Sequence, residues 1–291
     1  MLDLNRLRVL ATVARLGSVT AAAREMHYSQ PSVSHHLARL EAETGAQLFQ
    51  RVGRGIRLTE AGRVLAERAT EILGRVESAA AELDTHVGLS TGRVRIAAFE
   101  SALVALMPEV SAALATEHPG LRLEIVDAHP VDAIAMLRAG DVDAAIVFRY
   151  DETEPDPDGV RLTHLRDDPT YLLTTDDRNR VAQHRDSRWV GGCIRCRTHL
   201  VEVCAREGFA PDIAHSTDDM VSIQALVAAG MGAALIPGLA LRAHRHPDVN
   251  AYEIPGADRH VYVATYGEPP DPPPTAALVD TLVSLATSSA S

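Results

Sequence analysis

The 291-residue sequence predicts an α/β protein in three parts: an all-α head closed by a β-hairpin, a long connecting helix, and a two-lobed α/β domain. Three observations carry this reading. Apolar residues recur at three- and four-residue steps from Leu4 to Leu40, followed by two short apolar runs around a glycine-containing turn. A proline-free stretch from Thr59 to about Val87 holds a single apolar seam. From Arg93 onward, strand-like and helix-like patterns alternate to the C-terminus.

Composition limits the function classes. A hydrophobic content of 46% fits a folded chain of about two domains. Apolar runs such as Ala225 to Ala229 and Ala233 to Pro237 are too short to span a bilayer. Asp3, Arg6 and Arg8 stand where a signal peptide needs an apolar core, so a cytoplasmic location with no membrane partner is expected. Three cysteines in one short stretch, Cys193, Cys196 and Cys204, make no disulfide framework and agree with a reducing compartment. The net charge of −11 argues against a phosphate-rich partner, but it is an average over two unlike parts. Residues 1–66 hold nine Arg against five Asp and Glu, a balance of +4, whereas residues 91–291 hold 17 Arg against 29 acids, a balance of −12. The basic end is the candidate nucleic-acid surface.

Leu4, Leu7, Leu10 and Val13 or Ala14 place one stripe on a first helix that Gly17 and Ser18 end. Ser18 or Thr20 can cap a short second helix, Ala21 to Met26, whose alanines allow close packing. The turn at His27-Tyr28-Ser29 leads to a third helix with Ser29 as cap, Pro31 in the first turn and Gly45 at its end. Val33, Leu37 and Leu40 point inward. The opposite face carries Gln30, Pro31, Ser32, Ser34, His35, His36 and Arg39, mostly donors and acceptors suited to base edges in a major groove. Leu48-Phe49 and Ile56-Arg57-Leu58 then flank a cationic hairpin tip, with Arg51, Arg54 and Arg57 available to phosphates or a minor groove. Together these elements, Leu4 to Thr59, make a winged helix-turn-helix.

The runs Ala21 to Ser34 (AAAREMHYSQPSVS), Leu48 to Arg51 and Leu58 to Gly62 (LTEAG) resemble the DNA-binding domain of LysR-type transcriptional regulators. The resemblance implies that Gln30, Pro31, Ser34 and His35 approach bases and that the wing arginines approach the backbone or the minor groove. His35 and His36 stand where that family commonly has Arg and Gln. It also implies a homodimer, or a dimer of dimers as a homotetramer, on a double-stranded operator with dyad symmetry.

After Thr59, which can cap the helix, Leu65, Ala69, Ile72, Val76, Ala79 and Leu83 form a heptad-like seam. Such a seam serves either an intramolecular core or a dimer interface; the dimer reading is preferred because paired half-sites need paired heads. This divides the chain into residues 1–60, a DNA-binding domain, 61–90, a linker and dimerisation helix, and 91–291, an effector-binding domain. Gly88-Leu89-Ser90-Thr91-Gly92 matches the spacing of a hydrolase nucleophile elbow, but a helix precedes it and a strand follows, the reverse of that motif's order.

In the last 200 residues, a strand Arg93 to Phe99, a helix burying Leu103, Leu106, Met107, Val110 and Leu114, a strand through Leu121, Leu123 and Ile125, a helix with Ile134 and Leu137, and a strand Ala144 to Phe148 imply a parallel sheet. The acidic, proline-rich segment Asp151 to Gly159 reads as a loop. A second unit follows: strand Tyr171 to Thr174, helix Arg197 to Glu207, strand Ile213 to His215, helix Met220 to Ala229 and strand Ala233 to Ile236. A strand His260 to Thr265 returns to the first lobe before a helix Thr275 to Ala286. Asp168-Pro169, Gly208-Phe209, and Ala228 to Gly232 followed by Leu235-Ile236-Pro237 resemble the effector domain of the same family, which implies a periplasmic-binding-protein-like cleft.

Ligands in such a cleft sit beyond strand C-termini, against helix N-termini. The segments that qualify are Glu100-Ser101, His129-Pro130, Cys193 to Thr198 with Arg195, Cys196 and Arg197, and Thr217-Asp218. Capping alone equally explains Ser101. A small organic anion fits the two arginines, and Glu100 and Asp218 oppose it. Cys193-x-x-Cys196-x-x-His199 has zinc-ligand residue types but no second pair, and it leaves structural, redox and metal roles open. No Walker A, H-E-x-x-H or EF-hand pattern is present, Gly230-Met231-Gly232 lacks the order of a dinucleotide loop, and no cofactor is expected. With no placed nucleophile, base and orienting group, an enzyme is not expected, though a thiol chemistry at Cys193 or Cys196 is the competing class.

Overall fold

A computed structural model describes residues 2–52, 55–86, 92–150 and 154–288. They form two units, residues 1–90 with 135–141, and residues 91–134 with 142–291.

The first unit begins with α1 (Leu4–Leu16), α2 (Val19–Glu25) and α3 (Gln30–Thr44), followed by the hairpin strands β1 (Phe49–Val52) and β2 (Gly55–Leu58) and the helix α4 (Glu60–His86). Local chemistry sets each boundary. Asp3, Ser18 and Ser29 accept from the backbone N–H three residues on, at 3.1, 3.3 and 3.3 Å. Gly17 and Gly45 end α1 and α3 with φ of 63° and 65°, a conformation that costs glycine nothing. Leu7, Leu10, Val13, Ala22, Ala23, Val33, Leu37 and Leu40 form one core with Leu48, Ala66 and Ala69. The hairpin pairs Phe49 with Leu58 and Gln50 with Arg57. Its base is fastened to α3, because the Glu41 carboxylate accepts from Leu48 N–H (2.8 Å) and Phe49 N–H (3.1 Å).

The α4 seam divides rather than running as one stripe. Ala69 is fully buried in the head's own core and Leu65 packs beside it, whereas Ile72, Val76 and Leu83 are 37, 43 and 66% exposed. Periodicity alone cannot separate these fates, since the same spacing serves a core and a partner.

The second unit contains two five-stranded sheets. The first holds β3 (Arg93–Ala98), β4 (Arg122–Asp127), β5 (Ala144–Arg149), β6 (Val160–Asp168) and β12 (Arg259–Tyr266) in the order β4-β3-β5-β12-β6. β3 pairs in parallel with β4 and β5, as expected from the strand–helix alternation, while β12 runs antiparallel to β5 and β6. The second sheet holds β7 (Thr170–Thr174), β8 (Arg188–Gly191), β9 (Asp212–Ser216), β10 (Ala233–Pro237) and β11 (Asn250–Glu253) in the order β11-β7-β10-β8-β9. Helices α5 (Glu100–Ala105), α6 (Met107–Glu117), α7 (Pro130–Ala139) and α11 (Pro273–Ser288) follow strands of the first sheet, and α8 (Ile194–Arg206), α9 (Met220–Ala228) and α10 (Gly238–Ala243) those of the second.

Several expectations are corrected. The single helix after β3 is two, because the backbone turns at Leu106 ahead of Pro108 at the start of α6. Ile125 is 43% exposed, since β4 is an edge strand. Strands β6, β8 and β11 and helix α10 were absent from the sequence reading, and α8 starts three residues earlier than expected. The nucleophile-elbow match at 88–92 lies largely outside the described residues, but α4 before it and β3 after it keep the order that argues against that motif. Among the described residues, no helix is long and apolar enough to cross a membrane.

The chain passes between the sheets after β6 and again before β12. Both passages meet at one buried ion pair. Asp168, 2% exposed, accepts from Arg259 Nε at 2.8 Å and stands 2.7 Å from its Nη2; Asp168 also accepts from Leu239 N–H at 2.8 Å. Arg259 donates on to Ser101 Oγ at 2.7 Å and lies over the rings of Phe99 and Phe148, 4.8 and 4.6 Å from their centroids.

Candidate nucleic-acid interface and ligand cleft

Helix α3 turns Val33, Leu37 and Leu40 into the core and leaves Gln30, Pro31, Ser34, His35 and Arg39 exposed, with Ser32 and His36 half-buried. The pattern follows from the 3.6-residue period, and the Ser29 cap starts the helix so that Gln30 and Pro31 lie in its first turn. Tyr28 stacks on His36 with ring centroids 5.8 Å apart, which explains that histidine's partial burial. Arg39 stays 62% exposed beside Glu43, whose carboxylate is engaged more closely by Arg6 at 3.0 Å. Arg51 lies on β1, and Arg54 falls outside the described residues.

In the second unit, the sequence-selected residues gather at strand ends but split in chemistry. Ser101, 1% exposed, is committed to Arg259. The Glu100 carboxylate accepts from Met220 N–H at 3.4 Å, and burial raises its pKa. His129 Nε2 lies 3.4 Å from Asp218, Pro130 opens α7, and Thr217 Oγ1 accepts from Asp219 N–H. Arg195 donates to Glu154 at 3.0 Å, so its charge is already matched; Arg197 and Thr198 are exposed, and the Thr198 hydroxyl donates to Ile194 C=O.

A narrow space, with room for roughly one water molecule, opens between Tyr150 and the second sheet, lined by Thr170, Cys196, His199, Met220 and Pro237 among others. His199 stacks on Tyr150 with centroids 3.7 Å apart, and its Nε2 lies 3.1 Å from Ala257 C=O. That carbonyl can only accept, so Nε2 carries the proton and Nδ1 is left as an acceptor. His199 Nδ1 and Thr170 Oγ1 are both buried with no protein hydrogen-bond partner. The sequence marks His199 only as a zinc-ligand residue type beside Cys193 and Cys196, and it does not mark Tyr150 or Thr170. No local motif marks them, since β7, α8 and the end of β5 bring them together from remote positions.

Burial depresses the His199 pKa to about 4. An unfolded histidine titrates near 6.5, so between these values the unfolded chain binds the extra proton and stability falls as pH falls. We expect the loss from this group to reach about 2 kcal/mol at pH 5 relative to pH 7.5. Urea titrations at the two pH values check it: His199→Gln should lack this increment, and an identical pH dependence in both proteins would contradict the assignment.

Cys193 caps α8, with its sulfur 3.0 Å from that of Cys196 and 3.4 Å from Cys196 N–H. The hydrogen bond from Cys196 and the helix N–H lower the Cys193 pKa to about 6 against the effect of burial, whereas Cys196 is raised by the same hydrogen bond and by burial. Tyr150 OH lies 3.7 Å from the Cys196 sulfur. Cys204 is buried and pushed up to about 12. Among the described residues, the thiols and His199 do not converge as a metal-ligand group.

A winged helix-turn-helix with an exposed polar reading face, followed by a two-sheet α/β domain, defines a DNA-binding transcriptional regulator. The chain belongs to the LysR family: residues 4–63 match the bacterial regulatory helix-turn-helix protein, lysR family, and residues 88–286 match the LysR substrate binding domain. It is 29% identical over 283 residues to the HTH-type transcriptional regulator TfdS of Cupriavidus pinatubonensis, covering 90% of this chain and 91% of that protein. It is 25% identical to TcbR of Pseudomonas sp. strain P51, covering 96% and 97%. The fold is similar to that of CbnR, a LysR family transcriptional regulator (TM-score 0.66, 21% identity, 98% and 99% covered). It is also similar to a full-length OxyR variant from Pseudomonas aeruginosa (TM-score 0.68, 22% identity, 97% and 95% covered).

Proposed function

We propose that this regulator reads a dyad-symmetric operator through α3 and the wing, as a homodimer or homotetramer, and responds to a small molecule entering between Tyr150 and the second sheet. The observation that carries the DNA half is the exposed row Gln30, Pro31, Ser34, His35 and Arg39 on a helix whose other face is core, with Ser32 beside it. Arg51 and Arg54 are assigned to phosphates or the minor groove. The exposed residues Ile72, Val76 and Leu83 of α4 support pairing through that helix. A structure of full-length CbnR complexed with its target DNA is similar to this chain at TM-score 0.64, which favours the same use of the head.

For the ligand half, the unpartnered His199 Nδ1 and Thr170 Oγ1 favour a small uncharged molecule with an N–H or O–H donor. Arg195 is already paired, which weakens the case for an anion. Both atoms are closed to solvent in the present arrangement, so a ligand that reaches them favours a different placement of Tyr150 or of the lobes. Such a preference is what coupling to DNA requires. We assign Glu100, His129, Pro130, Thr217 and Asp218 to the rim of that cleft, whereas Ser101 is buried and held by Arg259. Thermal shift across a metabolite panel tests this. A cleft ligand at 100 times its Kd stabilises by about 2.7 kcal/mol, and the shift should vanish in Thr170→Val with His199→Phe. A shift that persists in the double variant would place the ligand elsewhere and overturn the assignment.

A second reading rests on Cys193 and Cys196. Given a hydroperoxide as oxidant, the Cys193 thiolate attacks one peroxide oxygen, the O–O bond breaks, and the leaving oxygen takes a proton. The sulfenic acid is then attacked by the Cys196 thiol, forming the S–S bond and releasing water, so two sulfurs lose two electrons to the peroxide. Peroxide should then remove two hydrogens from the protein mass and alter operator affinity, with both effects absent in Cys193→Ser. An unchanged mass and affinity would eliminate this reading.

A further inference from the structure

The first sheet carries a three-residue cluster on its outer face that the regulator's DNA and ligand sites do not use. β6 and β12 pair antiparallel with His260 opposite Asp167 and Tyr262 opposite His164, and the register shifts between Val261 and Tyr262. At that point Leu165 and Arg166 together oppose Val261, a β-bulge. In a regular strand, residues three apart point to opposite faces. The bulge instead puts His164 and Asp167 on one face, where both are exposed, while Leu165 and Asp168 turn inward. The result is convergence: His164 Nε2 is 2.9 Å and His260 Nδ1 2.8 Å from the same Asp167 oxygen. One ligand atom from each residue lies within 4.8 Å of the others. Tyr262 packs edge-on against His164, 5.4 Å between centroids, which limits that ring's rotation.

We propose that His164, Asp167 and His260 form a divalent transition-metal site, with two imidazole nitrogens, one carboxylate oxygen and the remaining position open to water. Two histidines and a carboxylate suit zinc, and also nickel or copper, better than magnesium or calcium, which prefer all-oxygen shells. Zinc bonds of about 2.0–2.2 Å require the three atoms to close in from separations within 4.8 Å, through rotation of the exposed His164 and Asp167 side chains. The hydrogen bonds to Asp167 do not compete permanently. Each neutral imidazole can move its proton to the other ring nitrogen and offer a lone pair where it now donates. The site also has a structural consequence. Asp167 and His260 each adjoin a member of the Asp168–Arg259 pair, so a bound cation would tie together the two passages of the chain between its lobes. Stapling these passages would restrain any rearrangement of the lobes that a ligand causes.

The test uses untagged full-length protein in which Cys193 and Cys196 are replaced by serine, removing the thiols as rival zinc ligands. Calorimetric titration with zinc should give one equivalent, and zinc should raise the unfolding temperature. His164→Gln or His260→Gln should each weaken the binding by about 10–100-fold or more, while leaving circular dichroism and operator binding in the absence of zinc unchanged. No saturable zinc binding, or one equivalent bound as tightly in both histidine variants, would overturn the proposal. A variant that fails the circular-dichroism control is replaced by Asp167→Asn, which keeps the hydrogen-bonding shape, must weaken zinc binding, and would refute the site if it did not.

Discussion

Replacing Asp168 with alanine is expected to destabilise the second unit by about 3–5 kcal/mol, the cost of leaving a buried charge without its partner. Arg259 is 1% exposed and gives Nε and Nη2 to Asp168 and Nη2 also to Ser101. Removing the carboxylate strands a guanidinium that cannot lose its proton and cannot reach water. It also orphans Leu239 N–H at the start of α10. Asp168→Asn keeps an acceptor for Leu239 and should cost less. A double replacement, Asp168→Leu with Arg259→Met, removes both charges and should recover much of the loss, as apolar substitutes for buried pairs often do. Urea denaturation monitored at Trp189, which is fully buried in the second lobe, reports this directly. A loss under about 1 kcal/mol for Asp168→Ala would mean that the pair does not hold the crossing.

The second large effect is expected in the head. A Cβ on Gly62 would stand 2.1 Å from Leu48 C=O, far inside contact distance, and the obstacle is backbone that cannot rotate away. Alanine favours a helix interior over glycine by about 1 kcal/mol, so the sign depends on which term is larger. Overpacking typically costs about 1–3 kcal/mol, and a backbone obstacle sets the expectation at the upper end, for a net loss of about 2 kcal/mol. The displaced carbonyl is the acceptor for Thr59 N–H, and Thr59 Oγ1 both donates to Gln47 C=O and accepts from Gly62 N–H. Gly62→Ala should therefore loosen the base of the wing and weaken DNA binding along with stability. Unchanged thermal stability would show that Leu48 can yield.

The head was legible in the sequence because its determinants are local. Ser29, Gly45 and the stripe Val33, Leu37, Leu40 fix where α3 starts, ends and faces, and its polar row follows by subtraction. The cleft was not legible to the same degree. Asp168 and Arg259 are 91 residues apart, and nothing around either one announces the other. β6 reads Val-Arg-Leu-Thr-His-Leu-Arg-Asp-Asp, an edge strand too polar to show alternation and bent by a bulge whose partner lies almost a hundred residues on. The groups with unmet hydrogen bonds, His199 and Thr170, sit on buried faces. Sequence patterns there record only that a residue is inside. For α4 the failure was of another kind: the seam was seen, and only accessible surface separates Ala69, which is buried in the core, from Leu83, which is 66% exposed.

The most direct test of the central claim is binding of the protein to the DNA upstream of its own gene, measured against scrambled DNA of equal length at several salt concentrations. The account predicts sequence-selective binding that weakens steeply with salt. Ser34→Ala should lose more on the operator than on scrambled DNA, and Arg54→Ala should lose nearly equally on both. Binding without selectivity at any salt, or equal losses on both DNAs for both variants, would contradict it.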